Sequence, residues 1–230
     1  RVLHGPRLLA NPGCSEGEIQ DNPFHHQALE VAKRVGVDFT LNVSMNEQRQ
    51  VTGVFAGDLE TAHAAGVEFV RSQNIATIER EADIVITSGA GAPLDSTFYQ
   101  SIKGLTAVLP IVAEGGTIII AANCDEGIGS PDFEKLLLST ETPEDFLRCL
   151  EDPDFFVIDQ WQLQELCKVM KKARVMMYSN RIPEELSERL LVEMIDSVES
   201  GIADAITTCK GNANIAVIPK GPYVLTKLLE

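Results

Sequence analysis

The chain has 230 residues, of which 44% are hydrophobic and 23% are charged, a composition typical of globular proteins that bury a sizeable core. Its 19 basic and 34 acidic residues give a net charge of −15, which repels nucleic acid and anionic membranes. We therefore expect neither nucleic acid nor a membrane as a partner. The five cysteines are irregularly spaced, without a Cys-x-x-Cys pair, which favours reduced thiols in a cytoplasmic protein.

The first third of the chain predicts a small β-containing unit. An irregular start leads into a helix at about 25–35. The stretches "VDFTLNVSM" and "QVTGVFAG" flank the polar "NEQR", which predicts a β-hairpin. Asp58 is then placed to cap a helix over 59–70.

From about residue 75, short apolar strands alternate with helices, beginning with "ADIVITS" and "GGTIIIAAN". This pattern predicts a doubly wound α/β domain with a largely parallel sheet. Its further helices are predicted at about 131–138, 143–151, 160–171 and, as a pair, within 188–209. The expected fold class is α/β, with residues 1–74, together with 213–230, in a mixed first unit and residues 75–212 in the α/β domain.

The helix that contains Gln100 and Lys103 carries an apolar stripe on one side. At about 100° per residue, Gln100 and Lys103 project from the opposite side, close enough together to hold one small group. A solvated helix face is the alternative. Asp95 is placed to cap the start of this helix. The stripe consists of Phe98, Ile102, Leu105, Leu109 and Val112.

Two glycine-rich turns follow predicted strands, at "TSGAGAPL" and "CDEGIGS". The first has Gly89 and Gly91 but Leu94 at the third position, which argues against a nicotinamide dinucleotide site. The second carries Asp125 and Glu126, and both a functional loop and a simple connector fit it.

Trp161 lies off the apolar stripe of its helix, where it either packs under a loop or walls a ligand pocket. The four histidines lack the spacing of a zinc site.

Several motifs together resemble the carboxyl-terminal half of the nickel-pincer lactate racemases and their relatives. The resemblance extends over nearly the whole chain and depends on the order and spacing of all the motifs. They are "LHGPRLL", "DNPFHHQALEVAKRVGVDFTLNV", "GVFAGDLETAHAAGVEFV", "ADIVITS", "PLDSTFYQSIKG", "CDEGIGS" and "DQWQLQ".

The resemblance implies a nickel cofactor and a set of site residues. In this family, a thio-substituted pyridinium mononucleotide tethered to a lysine holds nickel, and a histidine ligand corresponds to His4. The cofactor takes the α-hydride of a 2-hydroxy acid and returns it to the other face of the 2-oxo acid. The resemblance further implies that Gln100 and Lys103 orient the substrate and that Trp161 walls the pocket.

The chain begins at Arg1 without an initiator Met, and we expect it to be part of a longer protein. The tethering lysine and the catalytic histidines implied by the resemblance would lie upstream, so we expect the isolated chain to be inactive. A nicotinamide-dependent oxidoreductase and a non-catalytic α/β binding module are the alternative functions.

Overall fold

A computed structural model of the chain describes residues 3–46, 48–209 and 211–229. These residues form two compact units, which divide between Ile75 and Ala76. The division falls where the hairpin pattern of the sequence gives way to alternating strands and helices.

The first unit contains a β-hairpin and helices with polar caps. Asn22 Oδ1 accepts hydrogen bonds from the backbone N–H groups of Phe24 and His25 at the start of the second helix. Asp58 caps the third helix, as predicted. The elements are α1 (Pro6–Leu9), α2 (Pro23–Val35), β1 (Thr40–Met45), β2 (Val51–Gly57) and α3 (Leu59–Asn74).

The predicted hairpin is confirmed, since β1 and β2 pair in antiparallel orientation with Val43 opposite Val54. Glu47, in the predicted turn, lies outside the described residues. One face of the hairpin packs on α3, where the rings of Phe55 and Phe69 have centroids 5.4 Å apart.

The second unit is built around a five-stranded parallel sheet with the strand order β7-β6-β5-β4-β8. β3 and β9 pair in a separate two-stranded sheet. The elements are β3 (Ile75–Ile78), β4 (Ala82–Ser88), α4 (Phe98–Thr106), β5 (Val112–Ala121), α5 (Pro131–Ser139), α6 (Pro143–Cys149), α7 (Gln160–Lys172), β6 (Arg174–Tyr178), α8 (Glu184–Ser187), β7 (Glu193–Met194), α9 (Val198–Thr208), β8 (Ile215–Ile218) and β9 (Leu225–Leu228).

Both faces of the sheet are covered by helices. Ile118 and Ile120 of β5 belong to the larger buried cluster, which includes side chains of α4 and α7. Ile119, between them, belongs to a smaller cluster that contains Ala205 of α9. Successive side chains of a strand point to opposite faces, so the predicted doubly wound α/β class is confirmed.

The sequence groups residues 213–230 with the first unit, but β8 of this segment joins the sheet of the second unit. Ile215 lies opposite Ile84 of β4, and Ile218 lies opposite Thr87. β8 is apolar and pairs with the edge of β4 that β5 leaves free, so the backbone hydrogen bonds of that edge are satisfied.

The apolar pattern predicts that α4 continues past Leu109, but the helix ends at Thr106. Leu109–Ile111 forms a 3-10 turn instead. The ring of Pro110 disfavours helical dihedral angles at Leu109, and proline offers no N–H for a helical hydrogen bond.

Residues 188–209 contain one helix, α9, where the sequence predicts two. β7 forms there beside β6. The guanidinium of Arg174 in β6 donates two hydrogen bonds to the Glu193 carboxylate, at 2.8 and 2.7 Å. The backbone at Glu193 is extended because it pairs with β6, with Glu193 opposite Met176.

The helices of the described residues are short. α3, with 16 residues, is the longest, and none of them has the length and apolar character needed to cross a membrane.

The close approach of α4 to the sheet gives a stability prediction. A Cβ at Gly104 would lie 2.8 Å from Ser88 O and 3.0 Å from Ile120 Cδ1. Gly104→Ala should therefore push the helix away from the strands and lower the free energy of unfolding by about 1–3 kcal/mol. Urea unfolding measures the change. Thr106→Ala, in the same helix, is the control, and its free energy of unfolding should stay within about 0.5 kcal/mol of the parent value. Equal stability of the two variants would contradict the packing argument.

Candidate functional site

The strand order of the second unit reverses between β4 and β8. The chain runs outward from β4 through β5 and β6 to β7, then returns to place β8 on the other side of β4. Ligands of doubly wound folds bind beyond the carboxyl ends of the strands at such a reversal. Ser88, at the end of β4, donates a hydrogen bond from Oγ to the carbonyl oxygen of Pro219, 2.5 Å away. We call the carboxyl ends of β4, β5 and β8 the carboxyl edge.

Helix α4 lies close to the carboxyl edge because glycines face each other there. Gly104 approaches Ser88 O, and a Cβ at Gly221 would lie 2.9 Å from Gly104 O and 2.6 Å from Thr87 Oγ1. The absence of side chains at both positions allows the helix backbone to meet the strand ends.

Asp95 connects the loops that follow β4 and β5. Its buried carboxylate accepts the backbone N–H of Asn123 at 3.1 Å, and its carbonyl oxygen accepts the N–H of Cys124 at 2.7 Å. The prediction that Asp95 caps α4 is wrong. Thr97 is the cap, since its Oγ1 accepts the N–H of Gln100 at 3.2 Å, and Asp95 is too far from the helix start to replace it.

The loop with the sequence "CDEGIGS" supports the start of α4. The carbonyl oxygens of Gly127 and Ile128 accept the N–H groups of Phe98 and Tyr99, at 3.0 and 2.9 Å. These donors are the ones that a helix start leaves unpaired, so the loop occupies the place that an anion would take. Glu126, whose role the sequence leaves open, accepts a 3.2 Å hydrogen bond from Ser96 Oγ.

Gln100 and Lys103 lie on the part of α4 that faces away from the buried stripe. Lys103 is exposed, whereas Phe98, Ile102 and Leu105 are buried.

The Gln100 side chain lies near the carboxyl edge. It precedes Gly104 by one helical turn on the same face, and Gly104 meets Ser88 O. Gln100 Oε1 is buried, and no described residue forms a hydrogen bond with it. A buried acceptor without a partner is costly, which makes this amide a candidate ligand contact.

The first turn of α7 brings Trp161 to α4. The rings of Trp161 and Tyr99 meet edge to face, with centroids 5.9 Å apart. Gln162 Nε2 donates to the carbonyl oxygen of Tyr99 at 2.9 Å. Tyr99 precedes Lys103 by four residues on the same helix face, so Trp161 packs on the residue one turn before Lys103.

Sequence reasoning missed Tyr99, although its spacing of four residues from Lys103 is a usable signal. Burial raises the pKa of Tyr99 to about 12, and the nearby charge of Asp159 acts in the same direction. The phenol therefore stays neutral at physiological pH and keeps its proton for hydrogen bonding. Asp159 also accepts a 2.6 Å hydrogen bond from Ser130 Oγ.

His4 belongs to the first unit, apart in the chain from the other predicted site residues. Its side chain is exposed, and its ring meets the ring of Phe24 edge to face, with centroids 5.3 Å apart. Across the described residues, no group of three or more His, Cys, Asp or Glu side chains is arranged to hold a metal ion.

The family model for the lactate racemase C-terminal domain matches residues 77–226. This chain belongs to that family. Two similar proteins are the lactate racemases of Thermoanaerobacterium thermosaccharolyticum, 32% identical over 227 residues, and of Lactiplantibacillus plantarum, 30% identical over 227 residues. Each match covers 97% of this chain and 53% of the relative, so the chain spans about half the length of these lactate racemases.

Solved structures agree with this family membership. The lactate racemase apoprotein from T. thermosaccharolyticum superposes with a TM-score of 0.92 at 31% identity, covering 98% of this chain and 54% of that one. A protein from Thermotoga maritima has a TM-score of 0.61 at 17% identity, covering 91% of this chain and 54% of the other. The second similarity extends to the fold alone.

Asp95 gives a prediction for the carboxyl edge. Asp95→Ala removes the acceptor of the Asn123 N–H and should lower the free energy of unfolding by about 1–3 kcal/mol. Asp95→Asn retains an acceptor oxygen at the same distance from the backbone, and its free energy of unfolding should fall by less than half as much. Urea unfolding, with amide hydrogen exchange at Asn123, measures both variants. Unchanged exchange at Asn123 in Asp95→Ala would show that this contact does not hold the loops.

Proposed function

We propose that the chain is the carboxyl-terminal part of a nickel-dependent racemase or epimerase of 2-hydroxy acids. The observation that supports the proposal is the presence of Gln100 and Lys103 on α4, the helix that packs against the end of β4, in a member of this family. One side chain of the pair presents an exposed charge, and the other a buried amide oxygen to which no described residue forms a hydrogen bond.

The pair suits the carboxylate of a small hydroxy acid. Lys103 is the one basic residue of α4 and the exposed residue of that helix, so its ammonium supplies a local positive charge in a chain with a net charge of −15. The Gln100 amide offers an N–H donor or an oxygen acceptor to the same region, depending on rotation about its last bond. Lys103 then holds the carboxylate by charge, and Gln100 fixes its orientation.

Trp161 supplies an apolar wall beside this pair. Its contact with Tyr99 fixes the indole next to α4, and an aromatic side chain with few rotatable bonds loses little entropy on binding. The wall excludes water from one side of the substrate, which strengthens the charged contact with Lys103.

His4 fits the nickel cofactor that the family resemblance implies. An exposed imidazole is a suitable ligand for Ni(II) in a tetragonal site. The remaining donors would belong to the thio-substituted pyridinium mononucleotide, which the resemblance tethers to a lysine upstream. When bound, the cofactor exchanges a hydride with the α-carbon of the substrate. One imidazole cannot retain this group without the tether, so the isolated chain is inactive.

In the full-length, cofactor-loaded protein, Lys103→Ala should lower kcat/KM for a 2-hydroxy acid by roughly one to two decades. This is the loss of a charge-assisted hydrogen bond worth about 1.5–3 kcal/mol. Gln100→Ala should lower kcat/KM less than Lys103→Ala does. Lys103→Arg should retain part of the kcat/KM that Lys103→Ala loses. Steady-state racemisation, followed by chiral chromatography, measures all three.

Lys135→Ala is the matched control for Lys103→Ala, because Lys135 is an exposed lysine on another helix, α5. It removes the same charge from the surface and should leave kcat/KM unchanged. Equal effects of the two substitutions would mean that Lys103 acts only through net charge, and the proposed substrate contact would be wrong.

His4→Ala should remove most of the bound nickel from the full-length protein made together with the cofactor-synthesis enzymes. Elemental analysis of the purified protein measures nickel per chain without any activity assay. His26→Ala is the control, since His26 is an exposed histidine of the same unit. Stoichiometric nickel in His4→Ala would refute the ligand role, and the absence of nickel from the parent protein would favour a non-catalytic module.

A further inference from the structure

Asp159 has an uncommon backbone conformation immediately before α7. Its φ of 64° and ψ of 7° place it in the left-handed region, which residues other than glycine seldom adopt. Aspartate is among the best residues for capping a helix start, yet the Asp159 side chain accepts no capping hydrogen bond from α7. Strained residues of this kind are concentrated at functional sites, so we expect the carboxylate to have partners elsewhere.

The Asp159 carboxylate joins two other helices instead. It accepts a 2.6 Å hydrogen bond from Oγ of Ser130, the cap of α5. It also forms a hydrogen bond with the hydroxyl of Tyr99, in the first turn of α4. Because an ionised carboxylate can only accept hydrogen bonds, the single proton of the Tyr99 hydroxyl is donated to Asp159.

The Tyr99 oxygen also forms a hydrogen bond with the Trp161 side chain. The one polar group of an indole is its Nε1–H, which is a donor only, so Trp161 donates to the Tyr99 oxygen. The three side chains thus form a series in which Trp161 donates to Tyr99 and Tyr99 donates to Asp159. Each bond of such a series polarises the next, so the charge of Asp159 strengthens the hydrogen bond between Tyr99 and the indole.

The backbone and the ring of Tyr99 are held independently of Asp159. The Tyr99 N–H donates to the Ile128 carbonyl oxygen at 2.9 Å, and the Tyr99 carbonyl oxygen accepts from Gln162 Nε2 at 2.9 Å. Its ring also meets the ring of Phe133 edge to face, with centroids 5.0 Å apart. Loss of the Asp159 carboxylate should therefore leave α4 and the Tyr99 ring in place and release only the hydroxyl and the indole.

We propose that Asp159 is a positioning residue of the substrate site, which acts through the Tyr99 hydroxyl to fix the Trp161 indole. Because its N–H is bonded to Tyr99, the indole presents apolar carbon atoms to the substrate. The Tyr99 proton is engaged by Asp159 and does not contact the substrate. This inference rests on the proposed function, since that function makes Trp161 the wall of the pocket.

Asp159→Gly removes the carboxylate with little strain, because glycine readily adopts a positive φ. In the full-length apoprotein, the Trp161 indole N–H should then exchange with deuterium roughly tenfold faster, as expected for the loss of about one hydrogen bond. Nuclear magnetic resonance of protein with isotope-labelled tryptophan measures this exchange, and Trp161→Phe identifies the signal by its loss. In the cofactor-loaded protein, Asp159→Gly should lower kcat/KM for a 2-hydroxy acid about tenfold, because the indole no longer keeps one position.

Two further variants separate positioning from a general loss of structure. Asp159→Asn keeps an acceptor oxygen and tolerates the left-handed region, so its indole exchange and kcat/KM should stay close to the parent values. Asp196→Gly is the matched control, because Asp196 is an exposed aspartate that likewise lies shortly before a helix, α9. It should leave both measurements unchanged.

A double-mutant cycle with Tyr99→Phe tests whether the effect passes through the phenol. Tyr99→Phe removes the hydroxyl that joins Asp159 to Trp161, so it should lower kcat/KM by itself. Adding Asp159→Gly to Tyr99→Phe should lower kcat/KM no further. Additive losses would show that Asp159 acts on the substrate by another route, and the proposal would be wrong.

Two other results would overturn the role of Asp159. One is unchanged indole exchange in Asp159→Gly, and the other is faster exchange with unchanged kcat/KM. Both leave the proposed racemase function intact. A cofactor-loaded parent protein that racemises no 2-hydroxy acid would instead refute the proposed function, and the substrate role of Asp159 with it.

Discussion

The contact between Asp95 and the loop after β5 determines the geometry of the carboxyl edge. Asp95 is buried and uses both its carboxylate and its carbonyl oxygen to accept consecutive N–H groups, those of Asn123 and Cys124. Next along the loop, the carbonyl oxygens of Gly127 and Ile128 occupy the first free donors of α4. The position of the helix thus depends on β5 as well as on β4, which precedes it in the chain.

Fixing α4 at its first turn also fixes the group of side chains around it. The carbonyl oxygen of Tyr99 is bonded to Gln162 of α7, and its ring packs on Trp161. At the other end of the helix, Gly104 lies against Ser88. Lys103 therefore projects from a helix that is held at both ends, which reduces the conformational entropy that its backbone would lose on binding a ligand.

Local signals in the sequence were sufficient for most elements and failed where the deciding contact is distant. Asp58 caps α3 by accepting the backbone N–H groups of Glu60 and Thr61, and the sequence predicts this role correctly. Asp95 resembles a cap locally, but its partner Asn123 is 28 residues away. Similarly, β8 joins a strand 131 residues earlier, as the hydrogen bond between Asp83 and Asn214 shows. The roles of Gln100, Lys103, Trp161 and His4 rest on the family resemblance and stay predictions, since local spacing gives their positions but no ligand.

The charge distribution bears on which substrates the proposed site can accept. A net charge of −15 repels anions at long range, but salt screens this repulsion beyond about 8 Å at physiological ionic strength. The binding of a small monoanion that reaches Lys103 therefore depends on contacts within a few ångströms. Asp159 lies close to Tyr99 and contributes a negative charge there, so a second carboxylate on the substrate would meet repulsion beside Trp161.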